Sequence, residues 1–354
     1  MSSAPARGVR VAGRVIGPGQ PCFLVAEAGV NHNGELELGR SLVDAAAAAG
    51  VDAIKFQTFS ADRLATADAP KAAYQSAGAG AGESQREMLR RLELTADAHR
   101  DLMRRARERG LLFFSTPFDE ESAAFLLDLG VPALKVPSGE VTNLPFLRVL
   151  GGAGVPILMS TGMATLDEVR EAVATLRAGG AEALVLLHCV SAYPADPADV
   201  NLRAMDTLAR VFEVPVGYSD HTRGLEIPLA AVARGAAVLE KHFTLSRELP
   251  GPDHAMSLEP DDLAALVRGV RVVESALGDG VKRPAGAERA IAAVARKSLV
   301  AACDLAAGTA LTEGCLVARR PGTGLSPAML PRIVGRRLKA AVAAGTPLAL
   351  EMLE

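Results

Sequence analysis

Eight short apolar runs, each closing on polar or titratable residues, restrict what this 354-residue chain can fold into. They read 23-FLVAEAGV-30, 52-DAIKFQT-58, 111-LLFFSTPF-118, 133-ALKVPS-138, 156-PILMSTG-162, 183-ALVLLHCV-190, 215-PVGYSDH-221 and 238-VLEKHFT-244. Segments such as 35–49, 120–129, 165–179 and 224–234 lie between them and carry apolar residues at helical spacing, for example Val169, Val173 and Leu176. Thr165 followed by Glu168 has the form of a capping box at a helix start. Strand then helix, eight times over, predicts an α/β fold, a parallel (β/α)8 TIM barrel, across residues 1–278.

In such barrels the C-terminal strand ends and the loops after them face the active site. Here the first four ends offer Glu27, Lys55 with Gln57, Ser115 with Thr116, and Lys135 with Ser138 and Glu140. The later ends offer Ser160 with Thr161, His188 with Ser191, Ser219 with His221, and Glu240 with His242. Beyond them, 278-GDGVKRPAGAERA-290 reads as a linker over 279–295. Residues 296–354 read as a small β-rich module, in which an Ala-Ala-Gly-Thr-x-Leu phrase at 306–311 and again at 343–348 predicts two equivalent turns.

Composition removes other classes. Lys+Arg 38 against Asp+Glu 41, with Trp 0 and Tyr 3, argues against a nucleic-acid partner. No apolar run reaches the ~18 residues of a membrane span, and the first twenty residues hold no apolar core of a signal peptide. Four cysteines without C-x-x-C spacing fit a reducing cytoplasm.

Three constellations carry chemistry. His221 and His242 end adjacent strands, so two neutral imidazoles could share a divalent ion as an open Lewis-acid site; a hydrogen-bonded histidine pair is the alternative. Lys55 and Lys135, with Thr116, Ser138, Ser160 and Ser219, compose a cradle for a phosphate or carboxylate, although a lone barrel lysine also suits a Schiff base. Glu27 and Glu140 are candidates for proton handling, or for salt bridges to those lysines. In 29-GVNHNG-34, Asn31 and Asn33 are expected to bind polar substrate groups, and the Pro250–Pro252 loop to present Asp253.

Several phrases, in one order along the chain, resemble the sialic acid synthase family: 26-AEAGVNHNG-34, 54-IKFQT-58, 115-STPFD-119, 135-KVPSGE-140, 159-MSTGMA-164, 187-LHCVSAYP-194, 217-GYSDHT-222, 239-LEKHFT-244 and 250-PGPDHA-255. The tail is similar to that family's antifreeze-like SAF domain, with 319-RRPGTG-324 as its clearest phrase. The resemblance implies a synthase that condenses phosphoenolpyruvate with an N-acylated amino sugar. N-acetylmannosamine is the default acceptor; its 6-phosphate and 2,4-diacetamido sugars, the precursors of legionaminate or pseudaminate, are alternatives. It implies that His221 and His242 hold a metal, manganese first, with magnesium or cobalt as alternatives. Lys55, Thr116, Lys135, Ser138, Ser160 and Ser219 would hold phosphoenolpyruvate, as would Ser191, which stands where some relatives carry asparagine. Glu27, Gln57, Tyr193 and Asp253 would surround the sugar, and Arg320 would reach a partner's site in a domain-swapped homodimer. Ser246 replaces an acid found in many relatives. The implied chemistry is attack of the enolpyruvyl carbon on the sugar aldehyde, addition of water and departure of phosphate, without a covalent enzyme intermediate. A Schiff-base aldolase and a non-catalytic sugar-binding barrel are the rival classes.

Overall fold

The computed structural model describes residues 8–72, 75 and 83–354. The chain divides into two compact units, Met1–Gly278 and Asp279–Glu354.

The first unit is an eight-stranded parallel barrel. Its strands are β3 (Phe23–Gly29), β4 (Ala53–Thr58), β5 (Leu112–Pro117), β6 (Leu134–Val136), β7 (Ile157–Ser160), β8 (Leu184–Cys189), β9 (Val216–Asp220) and β10 (Val238–His242). They pair in parallel in the order β5-β4-β3-β10-β9-β8-β7-β6, and β5 lies beside β6 across the remaining seam. The major helices between them are α1 (Leu36–Ala49), α4 (Ala96–Glu108), α5 (Glu120–Leu129), α6 (Leu144–Gly151), α7 (Leu166–Gly179), α8 (Ala204–Phe212) and α9 (Glu226–Ala233), with α10 (Pro260–Leu277) after β10. The expected capping box starts α7: the Glu168 amide donates to Thr165 Oγ1 and the Thr165 amide to Glu168 Oε2. Two short helices, α2 (Ala61–Leu64) and α3 (Gln85–Arg91), stand in the long connection after β4.

Alternation along each strand places the site. Leu24, Ile54, Phe56, Leu134, Leu186, Tyr218 and Leu239 point outward into the layer formed with the helices, where Leu42, Leu102, Leu126, Leu147 and Leu176 pack. The inward set starts apolar, with Phe23, Val25, Ala53, Phe114, Leu158, Val185 and Val238 filling the lower lumen. One or two positions further along the same faces the inward residues become Glu27, Lys55, Gln57, Thr116, Lys135, Ser160, Ser219, Glu240 and His242. The lumen is thus packed at one end and ionic at the other.

A hairpin that sequence reasoning missed precedes the barrel. Strands β1 (Val9–Val11) and β2 (Arg14–Ile16) pair antiparallel, and Val9, Val11 and Ile16 pack against the lower lumen residues. Its two-residue turn, Ala12–Gly13, has positive φ at both positions.

In the second unit the stretch expected as a linker contains helix α11 (Glu288–Ala295). Strands β11 (Ser298–Ala301) and β12 (Leu316–Arg319) pair antiparallel, and a four-residue helix, α12 (Leu330–Ile333), follows. The repeated phrase forms two matching turns: Thr309 N donates to Ala306 O and Thr346 N to Ala343 O, each at 3.2 Å. Gly308 and Gly345 take φ of 76° and 83°, which favours glycine, while Leu311 and Leu348 enter the core of the unit. Among the described residues, no helix is long and apolar enough to cross a membrane.

Candidate active site

A cavity of about 420 Å3 opens at the C-terminal mouth of the barrel. Its floor is a buried ionic lattice. Lys55 Nζ lies 2.9 Å from Glu27 Oε2, 3.7 Å from Glu240 Oε1 and 3.0 Å from Thr116 Oγ1. Lys135 Nζ lies 3.7 Å from the same Glu240 oxygen and donates to Ser160 Oγ at 2.6 Å. Ser219 Oγ donates to Glu240 Oε1 at 3.1 Å. Burial works against every one of these charges, and the partners decide the outcome. Against it, the two lysines hold Glu240 below the usual carboxylate range, and Glu240 with Glu27 holds Lys55 above the usual lysine range. Burial prevails at Lys135, which is lowered, with Lys55 adding to the effect. Glu27 is pushed up to about 7, by burial first and by Glu240 as well, with Lys55 opposing. Glu240 Oε2 is buried without a hydrogen-bond partner. Two ammonium groups and the hydroxyls beside them form a site that can exchange a carboxylate counterion for an anionic ligand.

Gly162 extends this cradle. Its amide donates to Ser138 Oγ at 2.9 Å, and a Cβ there would lie 3.2 Å from Cys189 Sγ and collide with Ser191 Oγ. Only glycine lets the backbone approach the Ser138 and Ser191 hydroxyls this closely.

The imidazoles stand beside the cradle. His221 and His242 have ring centroids 5.5 Å apart, and Tyr193 lies over His221 at 4.1 Å. His221 Nδ1 is 2.7 Å from Val190 O, so it carries the proton in that bond and leaves Nε2 with its lone pair. His242 Nδ1 is buried without a partner, and burial with the nearby cations keeps this ring neutral, well below the ordinary imidazole value. At His221 burial is opposed by negative charge on Cys189 and by the hydrogen bond to Val190 O, and the ring is raised. Among the described residues no group of three His, Cys, Asp or Glu could hold a metal ion. The pair fits a divalent cation held by two imidazoles with its other positions open, and the partnerless Nδ1 of His242 is the observation that favours such a cation. Asp253 also lines the cavity, and burial pushes it up to about 6.

The structure therefore gathers Glu27, Lys55, Gln57, Thr116, Lys135, Ser138, Ser160, Ser191, Tyr193, Ser219, His221, His242 and Asp253 around one cavity. It does not bring Glu140 there. That side chain accepts from Asn143 Nδ2 at 2.6 Å, beside the start of α6, so Glu27 is left as the nearer acid. Asn31 and Asn33 are loop ties and line no part of the cavity: Asn31 Nδ2 donates to Phe243 O and Ser257 Oγ, and Asn33 Oδ1 meets His254 Nε2. Ser115 and His188 fall on outward positions, bonded to Thr58 Oγ1 and Val200 O. Ser246 caps its own turn, its Oγ accepting from the Glu248 amide. Arg320 is exposed on the second unit, where its Nε donates to Ala295 O. The sequence reading noted Glu240 and omitted it from the site. Its inward phase with His242 was the available signal, while its two lysines come from strands across the lumen.

Fold and site together define an enzyme of the (β/α)8 class whose mouth is built around a buried lysine–carboxylate lattice. The chain belongs to the NeuB family, whose model matches residues 42–282, with a SAF domain matched over 296–354. It is 47% identical over 342 residues to the N,N'-diacetyllegionaminic acid synthase of Legionella pneumophila, covering 96% of each chain. It is 45% identical over 316 residues to the synthase of the same name from Campylobacter jejuni, covering 89% of this chain and 95% of that one. The crystal structure of an N-acetylneuraminic acid (sialic acid) synthetase from Leptospira borgpetersenii, in complex with citrate, superposes with a TM-score of 0.72 at 34% identity, covering 81% of this chain and 95% of that one.

Proposed function

We propose that this enzyme condenses phosphoenolpyruvate with an N-acylated amino sugar to give a nonulosonic acid and phosphate, and that the acceptor is a 2,4-diacetamido sugar. The observation that carries the condensation is the Lys55–Glu240–Lys135 lattice facing two imidazoles in one cavity. The acceptor reading moves away from N-acetylmannosamine because the relatives at 47% and 45% identity carry the diacetyllegionaminic name.

Lys55, Lys135 and the Thr116, Ser138, Ser160, Ser191 and Ser219 hydroxyls hold the phosphate and carboxylate of phosphoenolpyruvate, in a buried setting that strengthens each contact. His221 and His242 would hold a divalent cation, manganese first, which when bound supplies Lewis-acid polarisation of the acceptor's aldehyde. Glu27 and Gln57 orient the acceptor's hydroxyls, and Glu27, poised near neutrality, takes a proton as water adds to the pyruvyl carbon. Tyr193 and Asp253 close the sugar's other side. Arg320 completes the acyl contact from a second copy in a domain-swapped homodimer.

The test is acceptor-dependent phosphate release from phosphoenolpyruvate with manganese, alongside borohydride trapping. Release with a diacetamido sugar and no trapped adduct supports the reading. A lysine adduct, or no release with any amino sugar, overturns it.

A further inference from the structure

A buried ion pair that the condensation chemistry does not use lies behind the imidazoles. Asp220 and Lys241 take the outward phase of β9 and β10, in line with the buried Tyr218 and Leu239. Their side chains are 0% and 3% exposed. The Lys241 ammonium donates to Asp220 Oδ2 and, at 2.7 Å, to Thr222 O. Asp220 Oδ1 accepts from the Thr222 amide at 2.9 Å and from Thr222 Oγ1 at 2.8 Å. Apolar residues of similar volume often serve stability as well as such a pair or better, so stability alone does not account for it.

Its place in the strands supplies the account. Asp220 stands between Ser219 and His221, and Lys241 between Glu240 and His242, so each member of the pair is flanked by residues that line the cavity. The β9–β10 ladder ends on the rung Asp220–Lys241, and both imidazoles lie one residue beyond it. Past that rung each histidine is held from its far side. His242 pairs with Glu27 of β3, while His221 accepts from the Ala195 amide at its carbonyl and donates through Nδ1 to Val190 O, both in the connection after β8. The Lys241 ammonium, next to His242 in the chain, grips Asp220 and Thr222, the residues on either side of His221. Resting on the divalent cation proposed above, we propose that Asp220 and Lys241 are positioning residues: their pair, with Thr222, fixes the separation of His221 and His242 at which two imidazoles share one cation. Metal affinity depends on how the groups behind the ligands orient them. The floor of the cavity is held independently, because Glu240 rests on Lys55, Lys135 and Ser219 one rung earlier.

The experiment titrates Mn2+ into the metal-free protein by electron paramagnetic resonance, and phosphoenolpyruvate by calorimetry, in the native chain and in two variants. Asp220→Leu combined with Lys241→Met removes both charges together at similar volume, so neither is left buried alone. Thr222→Val removes one hydrogen bond to Asp220 and keeps the shape of the side chain. The double variant is expected to keep near-native circular dichroism and to bind Mn2+ about 10- to 100-fold more weakly, the range for groups that orient a metal's ligands. Its Kd for phosphoenolpyruvate, which rests on Lys55 and Lys135, should stay within about threefold. Thr222→Val should weaken Mn2+ binding in the same direction, by about threefold. A merely structural role would lower Tm and leave the two affinities moving together. Mn2+ affinity unchanged in every variant that folds, or lost in equal measure with that for phosphoenolpyruvate, overturns the positioning role while native Mn2+ binding keeps the cation standing. Native protein that binds Mn2+ no more tightly than His242→Ala overturns the cation and the positioning role with it.

Discussion

Glu240 answers two lysines with one oxygen: its Oε1 lies 3.7 Å from Lys55 Nζ and 3.7 Å from Lys135 Nζ, all three side chains being buried. Glu27 also pairs with Lys55, whereas among the described residues Lys135 meets no carboxylate but this shared one. Glu240→Gln should therefore cost about 3–5 kcal/mol of stability, the range for removing one partner of a buried ion pair. Added phosphoenolpyruvate should raise the variant's Tm by more than it raises that of the native protein, because the ligand then supplies the missing charge. Thermal unfolding with and without ligand checks both, and an unchanged Tm in the variant contradicts the lattice.

Glu27→Gln separates function from stability. Turnover should fall by about 10²- to 10⁴-fold, the range for a lost acid-base group. Because the folded carboxyl titrates at about 7 against an ordinary 4.5, the folded state keeps a proton that the unfolded state has released between those values. Native stability therefore falls as pH rises through that window, and the full cost is present above about 7. Glutamine carries no such cost. Relative to the native protein, the variant should gain stability from pH 5 to pH 8, by up to ~3 kcal/mol. Urea unfolding at the two pH values measures it, and a difference independent of pH contradicts the burial argument.

His221→Ala and His242→Ala should each lower turnover by about 10³-fold or more with near-native circular dichroism, because both rings line a cavity. A chelator should abolish activity of the native enzyme and manganese should restore it. Near-normal rates in either variant count against the cation role.

Arg320→Ala should raise the KM of the acceptor more than that of phosphoenolpyruvate. Mixing it with His242→Ala after subunit exchange should restore part of the activity, since one hybrid site then holds both residues. A mixture as inactive as its components contradicts the shared site.

The barrel was legible because its signal repeats eight times, and the inward phase of each strand is readable by counting twos. Applied to the last residues, that count separates Thr116 from Ser115 and Cys189 from His188. Treating every polar residue at a strand end as a site candidate blurred this distinction. Asn31 and Asn33 stabilise loops through partners more than 200 residues away, which no local pattern announces. Glu140 ends the turn Ser138–Glu140 that follows its strand, and there its carboxylate is taken up by Asn143. The Ala12–Gly13 hairpin lacks the Asn-Gly or Asp-Gly pair that flags such turns.

The most direct measurement is the mass and label distribution of the product formed from phosphoenolpyruvate carrying 18O in the oxygen between C2 and phosphorus. With manganese and the diacetamido acceptor, the account predicts a nine-carbon acid equal in composition to sugar plus phosphoenolpyruvate plus water less phosphoric acid, with the label in the released phosphate. Label retained in the acid, or no nine-carbon acid with any amino sugar, would contradict it.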